Sequence, residues 1–137
     1  MNLAENDDKT IQVLVVTHDT ASRTFLEQVL TRQAHRVLNA TGRKEALALL
    51  ALEGPDVVIL DSHTAAPHGL ETLRQLRAKQ PELPVILITD RGSLQTAMEA
   101  MRLGAAEYLT KPLDPLFVAE AVSASLRETE ALVTSAS

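Results

Sequence analysis

The stretch "PDVVILDSHTAAPHGLE", Pro55 to Glu71, decides how the chain is read. Four consecutive apolar residues, Val57 to Leu60, follow a Gly54-Pro55 break and stop on a carboxylate, Asp61. A run this short, β-branched and continuous, bounded by turn residues, is the pattern of a strand covered on both faces. A strand with one face in water would alternate apolar and polar positions instead. An ionised carboxylate ending such a strand needs a partner or an opening to solvent. Asp61 is therefore the first candidate for chemistry, set against the plainer reading of an Asp that begins a loop.

Working outward, "IQVLVV" (Ile11 to Val16), "HRVLNA" (His35 to Ala40), "PVILIT" (Pro84 to Thr89) and "EYLT" (Glu107 to Thr110) are further strand candidates. Helical periodicity fills the intervals. Ala21, Phe25 and Val29 recur at i+4 beside Leu26 and Leu30, with Asp19 or Thr20 available as cap. "GRKEALALLALEG" is rich in good helix formers and stops at Gly54. "GLETLRQLRAKQ" carries Leu70, Leu73 and Leu76 on one stripe, and "SLQTAMEAMRLG" has Ser93 as cap and Gly104 as stop. Asp114 caps the last helix, with Pro115 at its first position.

Five βα units in one domain imply an α/β fold, a parallel sheet with helices on both faces, because right-handed crossovers place them there. Ligands in such sheets bind outside the carboxyl ends of the strands. The residues there are Thr17-His18-Asp19, Asp61, Thr89-Asp90 and Lys111. A carboxylate, a hydroxyl and an ammonium converging at one sheet edge suit transfer of a phosphoryl group to Asp61, with Thr89 and Lys111 holding its oxygens.

Composition limits the alternatives. The 137 residues match one domain burying roughly two thirds of its unfolded surface. Residues 11–128 are expected to form it, between a flexible N-terminal segment (1–10) and a C-terminal tail or linker (129–137). A formal net charge of −5 without a basic cluster argues against direct nucleic-acid binding. The absence of cysteine excludes disulfides and thiolate metal sites and fits a cytoplasmic setting. Neither a signal peptide nor an apolar run long enough for a membrane helix is present. No G-x-G-x-x-G or P-loop follows a strand, which argues against a nucleotide-binding enzyme.

Three pieces together resemble the receiver domains of two-component response regulators: Asp61 with Gly69 eight residues on, "PVILIT" ending in Thr89, and "GAAEYLTKPLDP" with Lys111 before Pro112. The resemblance runs from about Ile11 to Leu126. It implies a flavodoxin-like doubly wound (βα)5 sheet in the order 2-1-3-4-5. It further implies a phosphoacceptor, Asp61, that takes phosphate from a histidine kinase or phosphotransfer protein, a signalling role rather than an enzymatic one. Tyr108 matches the aromatic that swings inward with Thr89 on phosphorylation, and Lys111-Pro112 matches a peptide bond that is commonly cis in the family. The response is read on the fourth helix, fifth strand and fifth helix, a surface that also serves homodimers. A weaker likeness, in "SLQTAMEAMRLGAAEYLTKP", is to receivers attached to enhancer-type transcription activators.

One departure bears on mechanism. Thr17 and His18 stand where the family usually has two adjacent acidic residues that hold Mg²⁺ with the acceptor. Hard Mg²⁺ prefers carboxylates, carbonyls and water. The ligands that remain are Asp61, the backbone carbonyl of His63 and Asp19, the last only if a shifted turn brings it inward from its cap position. With Asp61 and Lys111 alone the aligned pocket is neutral without metal, and Asp90 reads as a solvated loop residue. Losing even ~4 kcal/mol of metal stabilisation would slow transfer roughly a thousandfold, so weakened Mg²⁺-dependent phosphorylation is expected. No organic cofactor is implied. His18, His63 and His68, scattered over loops, form no paired metal motif. The competing reading is a receiver-shaped interaction or dimerisation module that works without phosphorylation.

Overall fold

The computed structural model describes residues 10–63, 69–90 and 94–136, with the side chains of 130–136 excepted. Strands β1 (Gln12–Val16), β2 (Arg36–Ala40), β3 (Val57–Asp61), β4 (Val85–Thr89) and β5 (Glu107–Thr110) alternate with helices. These are α1 (Thr20–Arg32), α2 (Arg43–Glu53), α3 (Gly69–Lys79), α4 (Leu94–Arg102) and α5 (Pro115–Ala136). All strand pairs are parallel, in the order β2-β1-β3-β4-β5. The flavodoxin-like (βα)5 arrangement expected from the sequence is the one observed.

Why β1, β3 and β4 lack polar alternation is plain from the packing. Successive side chains on a strand point to opposite faces, and both faces are covered. Leu14, Val16, Val58, Leu60, Val85 and Leu87 join a core with Ala46 and Leu50 of α2, Leu73 and Leu76 of α3 and Ala100 of α4. Their neighbours Val13, Val15, Val57, Ile59, Ile86 and Ile88 join a second core with Leu26 and Leu30 of α1 and Val118 and Val122 of α5. At roughly 1.5–3 kcal/mol per fully buried aliphatic side chain, these two layers supply most of the driving force for folding.

The helix ends follow their local chemistry. Gly54 closes α2 in the left-handed conformation, with φ +58°. Asp114 Oδ1 accepts the Leu116 N–H at 2.8 Å at the start of α5. No glycine or proline follows Pro115, and α5 continues to Ala136, past residue 128 where a trailing tail is expected. The expected cap Ser93, the loop residues Ala65, Pro67 and His68, and residues 1–9 lie outside the described residues.

Gly104 makes the turn from α4 into β5 with φ +98°. A Cβ there would lie 2.6 Å from Nε of Arg77, whose Nη1 donates to the Leu83 carbonyl at 3.1 Å. Gly104→Ala is expected to cost about 1–2 kcal/mol, from the left-handed backbone and the displaced guanidinium. Urea unfolding at unchanged m-value would measure it, and an unchanged midpoint would contradict it.

Candidate functional site

Strand register brings the candidate residues together. Val16 pairs with Leu60 and Asp61 with Ile88, so Thr17, one residue beyond β1, lies beside Asp61. Thr17 N–H extends the ladder to the Ala40 carbonyl at 2.9 Å, and Lys111 N–H extends it to the Thr89 carbonyl at 2.8 Å. Alternation places Asp61, with Ile59, on the face covered by α1 and α5. Thr89, with Leu87, belongs to the opposite face, where Tyr108 packs against the cluster that includes Ala100 of α4. The Lys111–Pro112 peptide is cis.

Asp61 is only 3% exposed, and three donors hold its carboxylate. Oδ2 accepts from the Thr17 hydroxyl at 2.9 Å and from Lys111 Nζ at 3.0 Å. Oδ1 accepts the His63 N–H at 3.1 Å. Removing a carboxylate from water costs several kcal/mol, which these charge-assisted bonds offset. Thr17 is itself 1% exposed, and its Oγ1 also accepts the Asp19 N–H at 3.0 Å.

Lys111 joins the cleft's carboxylates. Besides Asp61, its Nζ lies 3.2 Å from Asp90 Oδ1 and 3.7 Å from Asp19 Oδ2. Asp90 Oδ2 in turn is 3.0 Å from His63 Nε2. Burial works against the Lys111 ammonium, but the hydrogen bonds and charges of Asp61 and Asp90 outweigh it and raise its pKa. Asp19 is held below the usual carboxylate range, chiefly by the Ser22 hydroxyl donating to Oδ2 at 2.6 Å, with Lys111 adding to the effect against some desolvation.

Two expectations change here. Asp19 does occupy the N-cap position of α1, with extended backbone, and forms no regular side-chain cap bond, though the Ala21 and Ser22 amides help to lower its pKa. Its carboxylate instead turns toward Ser22 and Lys111 and lines the cleft. Asp90 is half exposed but ion-paired rather than merely solvated. The pocket is therefore not the neutral Asp61–Lys111 pair expected from alignment: three carboxylates share one ammonium. His18 is exposed at the cleft wall. Sequence reasoning missed Ser22, for which the i, i+3 spacing from Asp19 was the available signal, and weighed the His63 imidazole only as a metal ligand, not as the partner of Asp90.

A metal ion needs oxygen lone pairs that are free. Asp61 Oδ2 already accepts two donors, and Thr17 Oγ1 gives its proton to Asp61 while accepting from Asp19. Asp19 Oδ2 accepts from Ser22. Among the described residues, no group of three or more His, Asp or Glu side chains is placed to hold a metal. The donor set does not fit the Mg²⁺ that the fold implies.

The cleft, about 570 Å³ and lined by His18, Asp19, Thr20, Asp61, His63, Asp90 and Lys111, is open and polar. Its charge network should be visible in stability. A raised Lys111 value means that its pairing stabilises fully below the unfolded value of 10.5 and is lost as pH climbs through the higher folded value. Lys111→Met is expected to cost about 2–3 kcal/mol at neutral pH, less than a fully buried pair because the outer partners are exposed. In denaturant melts run against pH, that difference should shrink above pH 10.5. A constant difference would contradict the assignment. Asp19 behaves oppositely: its contribution is present above 3.8 and lost as pH falls through its lowered value.

Comparison with known proteins agrees with this geometry. A family model described as the response regulator receiver domain matches residues 13–123. The transcriptional regulatory protein ZraR of Salmonella typhimurium is 35% identical over 130 residues, 93% of this chain and 30% of ZraR. The response regulator protein PilR of Pseudomonas aeruginosa is 35% identical over 116 residues, 85% of this chain and 26% of PilR. The chain thus spans less than a third of either relative. Among solved structures, a receiver domain from Methanospirillum hungatei has a TM-score of 0.83 at 26% identity, covering 89% of this chain and 98% of that one. The NtrX receiver domain of Brucella abortus has a TM-score of 0.79 at 28% identity, covering 84% and 98%.

Proposed function

Because this chain belongs to the response regulator receiver domain family of two-component signalling, we propose that Asp61 accepts a phosphoryl group from a histidine kinase or phosphotransfer protein. The observation that carries the reading is the buried Asp61 carboxylate at the cleft floor, bonded to Lys111 Nζ at 3.0 Å.

A carboxylate offers about four lone-pair sites, and three are occupied, so Oδ1 keeps one for attack on phosphorus. As the Oδ1–P bond forms, the P–N bond to the donor histidine breaks. The imidazole nitrogen leaves with the electron pair, and the ring departs as neutral imidazole when its other nitrogen carries a proton. Lys111 then meets the phosphoryl charge, with the Thr89 hydroxyl as second contact. Asp19 and Asp90 oppose the incoming charge, and the donor set does not fit the divalent ion usual in the family. Both features slow the transfer.

Thr89 and Tyr108 share the face covered by α4, which supports a switch running from Thr89 to that surface. The face of α4 bearing Leu94, Met98 and Met101, 77%, 59% and 50% exposed, supports the α4–β5–α5 surface as the place where the response is read and where a second copy docks. The unit acts in the cytoplasm as a signalling module without direct nucleic-acid contact. Among the described residues, no helix is long and apolar enough to cross a membrane.

The test is intact-mass measurement after incubation with acetyl phosphate and, separately, with a phosphohistidine donor. One added phosphoryl group, absent in Asp61→Asn, is the expected result. A persistent adduct in Asp61→Asn would move the acceptor elsewhere. No adduct from either donor would leave the interaction module that works without phosphorylation.

A further inference from the structure

The Thr17 hydroxyl is a directional device. Its lone pair receives the Asp19 N–H at 3.0 Å, and its proton goes to Asp61 Oδ2 at 2.9 Å. Both atoms of the bond are buried, Thr17 at 1% and Asp61 at 3% exposure. The same Asp19 N–H bond accompanies a turn in which the Asp19 carboxylate faces Ser22 and Lys111. A divalent ion approaching Oδ2 would have to break the Thr17 bond and displace Lys111, exchanging two good donors for one cation and leaving the Thr17 hydroxyl unsatisfied.

From this conflict, and resting on the phosphoacceptor reading of Asp61, we infer that Thr17 is a positioning residue that takes over the metal's place: it holds Asp61 for phosphoryl transfer that needs no divalent cation. The Thr17 hydroxyl and Lys111 together withdraw charge from Oδ2 and fix the plane of the carboxylate, leaving Oδ1 to react. With acetyl phosphate the balance is simple. Oδ1–P forms, the bond from phosphorus to the acetyl oxygen breaks, and acetate leaves with the electron pair, with no net proton transfer. Metal-free transfer is slow, because the new charge meets one ammonium, Lys111, and the neutral Thr89 hydroxyl, but its rate is set by Thr17 rather than by Mg²⁺.

Two measurements on the whole chain test this. The first follows acetyl phosphate labelling by mass, in EDTA and in millimolar Mg²⁺, for wild type, Thr17→Ser and Thr17→Val. Wild type and Thr17→Ser should differ less than about threefold between the two conditions, and the isosteric Thr17→Val should be slower by roughly tenfold or more in both. A Mg²⁺ stimulation of wild type by more than roughly tenfold, or an unchanged Thr17→Val rate, would overturn the inference.

The second measurement uses no phosphodonor: Mg²⁺ alone is titrated while amide NMR shifts around Asp61 are followed. Wild type should show no saturable shifts at millimolar Mg²⁺, whereas Thr17→Asp with His18→Asp should show them. Saturable binding to wild type would overturn the inference. If labelling fails under every condition while wild type stays silent to Mg²⁺, the phosphoacceptor reading falls and the metal exclusion stands.

Discussion

Everything at the carboxyl edge of this sheet depends on pairing one buried carboxylate. Asp61 ends a strand whose other four residues are completely or almost completely shielded from water. A charge in that position is tolerable only with strong donors on it. Lys111 Nζ, the Thr17 hydroxyl and the His63 N–H provide them. Each comes from a different loop, and Thr17 and Lys111 reach Asp61 because the two aliphatic cores hold β1, β3 and β5 in one sheet. The fold and the site are thus one structure: the cores set the register, and the register sets the donors.

The charge arrangement explains how this receiver differs from the pattern of its family. Substituting Thr17 and His18 for an acidic pair does not leave the cleft short of carboxylates, because Asp19 and Asp90 turn toward Lys111 from either side. What the substitution changes is which atoms touch Asp61. A neutral hydroxyl now donates to Asp61 where a carboxylate would have shared a cation with it. Attraction between Lys111 and Asp61 is strengthened by the low exposure of both groups, while Asp19 and Asp90, more exposed, are screened more effectively by solvent. Lys111 stays protonated throughout the physiological range, since its value is raised.

Much of this was legible in the chain because it is local or periodic. Val57 to Leu60 read as a doubly buried strand from composition alone, and the five βα units put Asp61, Thr89 and Lys111 at one edge by topology. The cap at Asp114 and the stops at Gly54 and Gly104 also follow from single residues. The rest was hidden because it depends on side chains meeting across loops far apart in sequence. Asp90 looked solvated until β4 and β5 placed it beside Lys111, and Asp19 looked like a plain helix cap until Ser22 and Lys111 drew its carboxylate aside. The length of α5 was missed for another reason: a polar composition suggested a tail, but nothing in it breaks a helix.

The central claim is that Asp61 reacts while held by Thr17 and Lys111, with no metal between them. A high-resolution crystal structure of the protein treated with beryllofluoride in the presence of Mg²⁺ tests it most directly. The account expects a tetrahedral fluoride group on Asp61 Oδ1, Lys111 Nζ and the Thr89 hydroxyl on its fluorine atoms, and the Thr17–Asp61 hydrogen bond intact. An octahedral ion bridging Asp61 and Asp19, with the Thr17 bond broken, would contradict it.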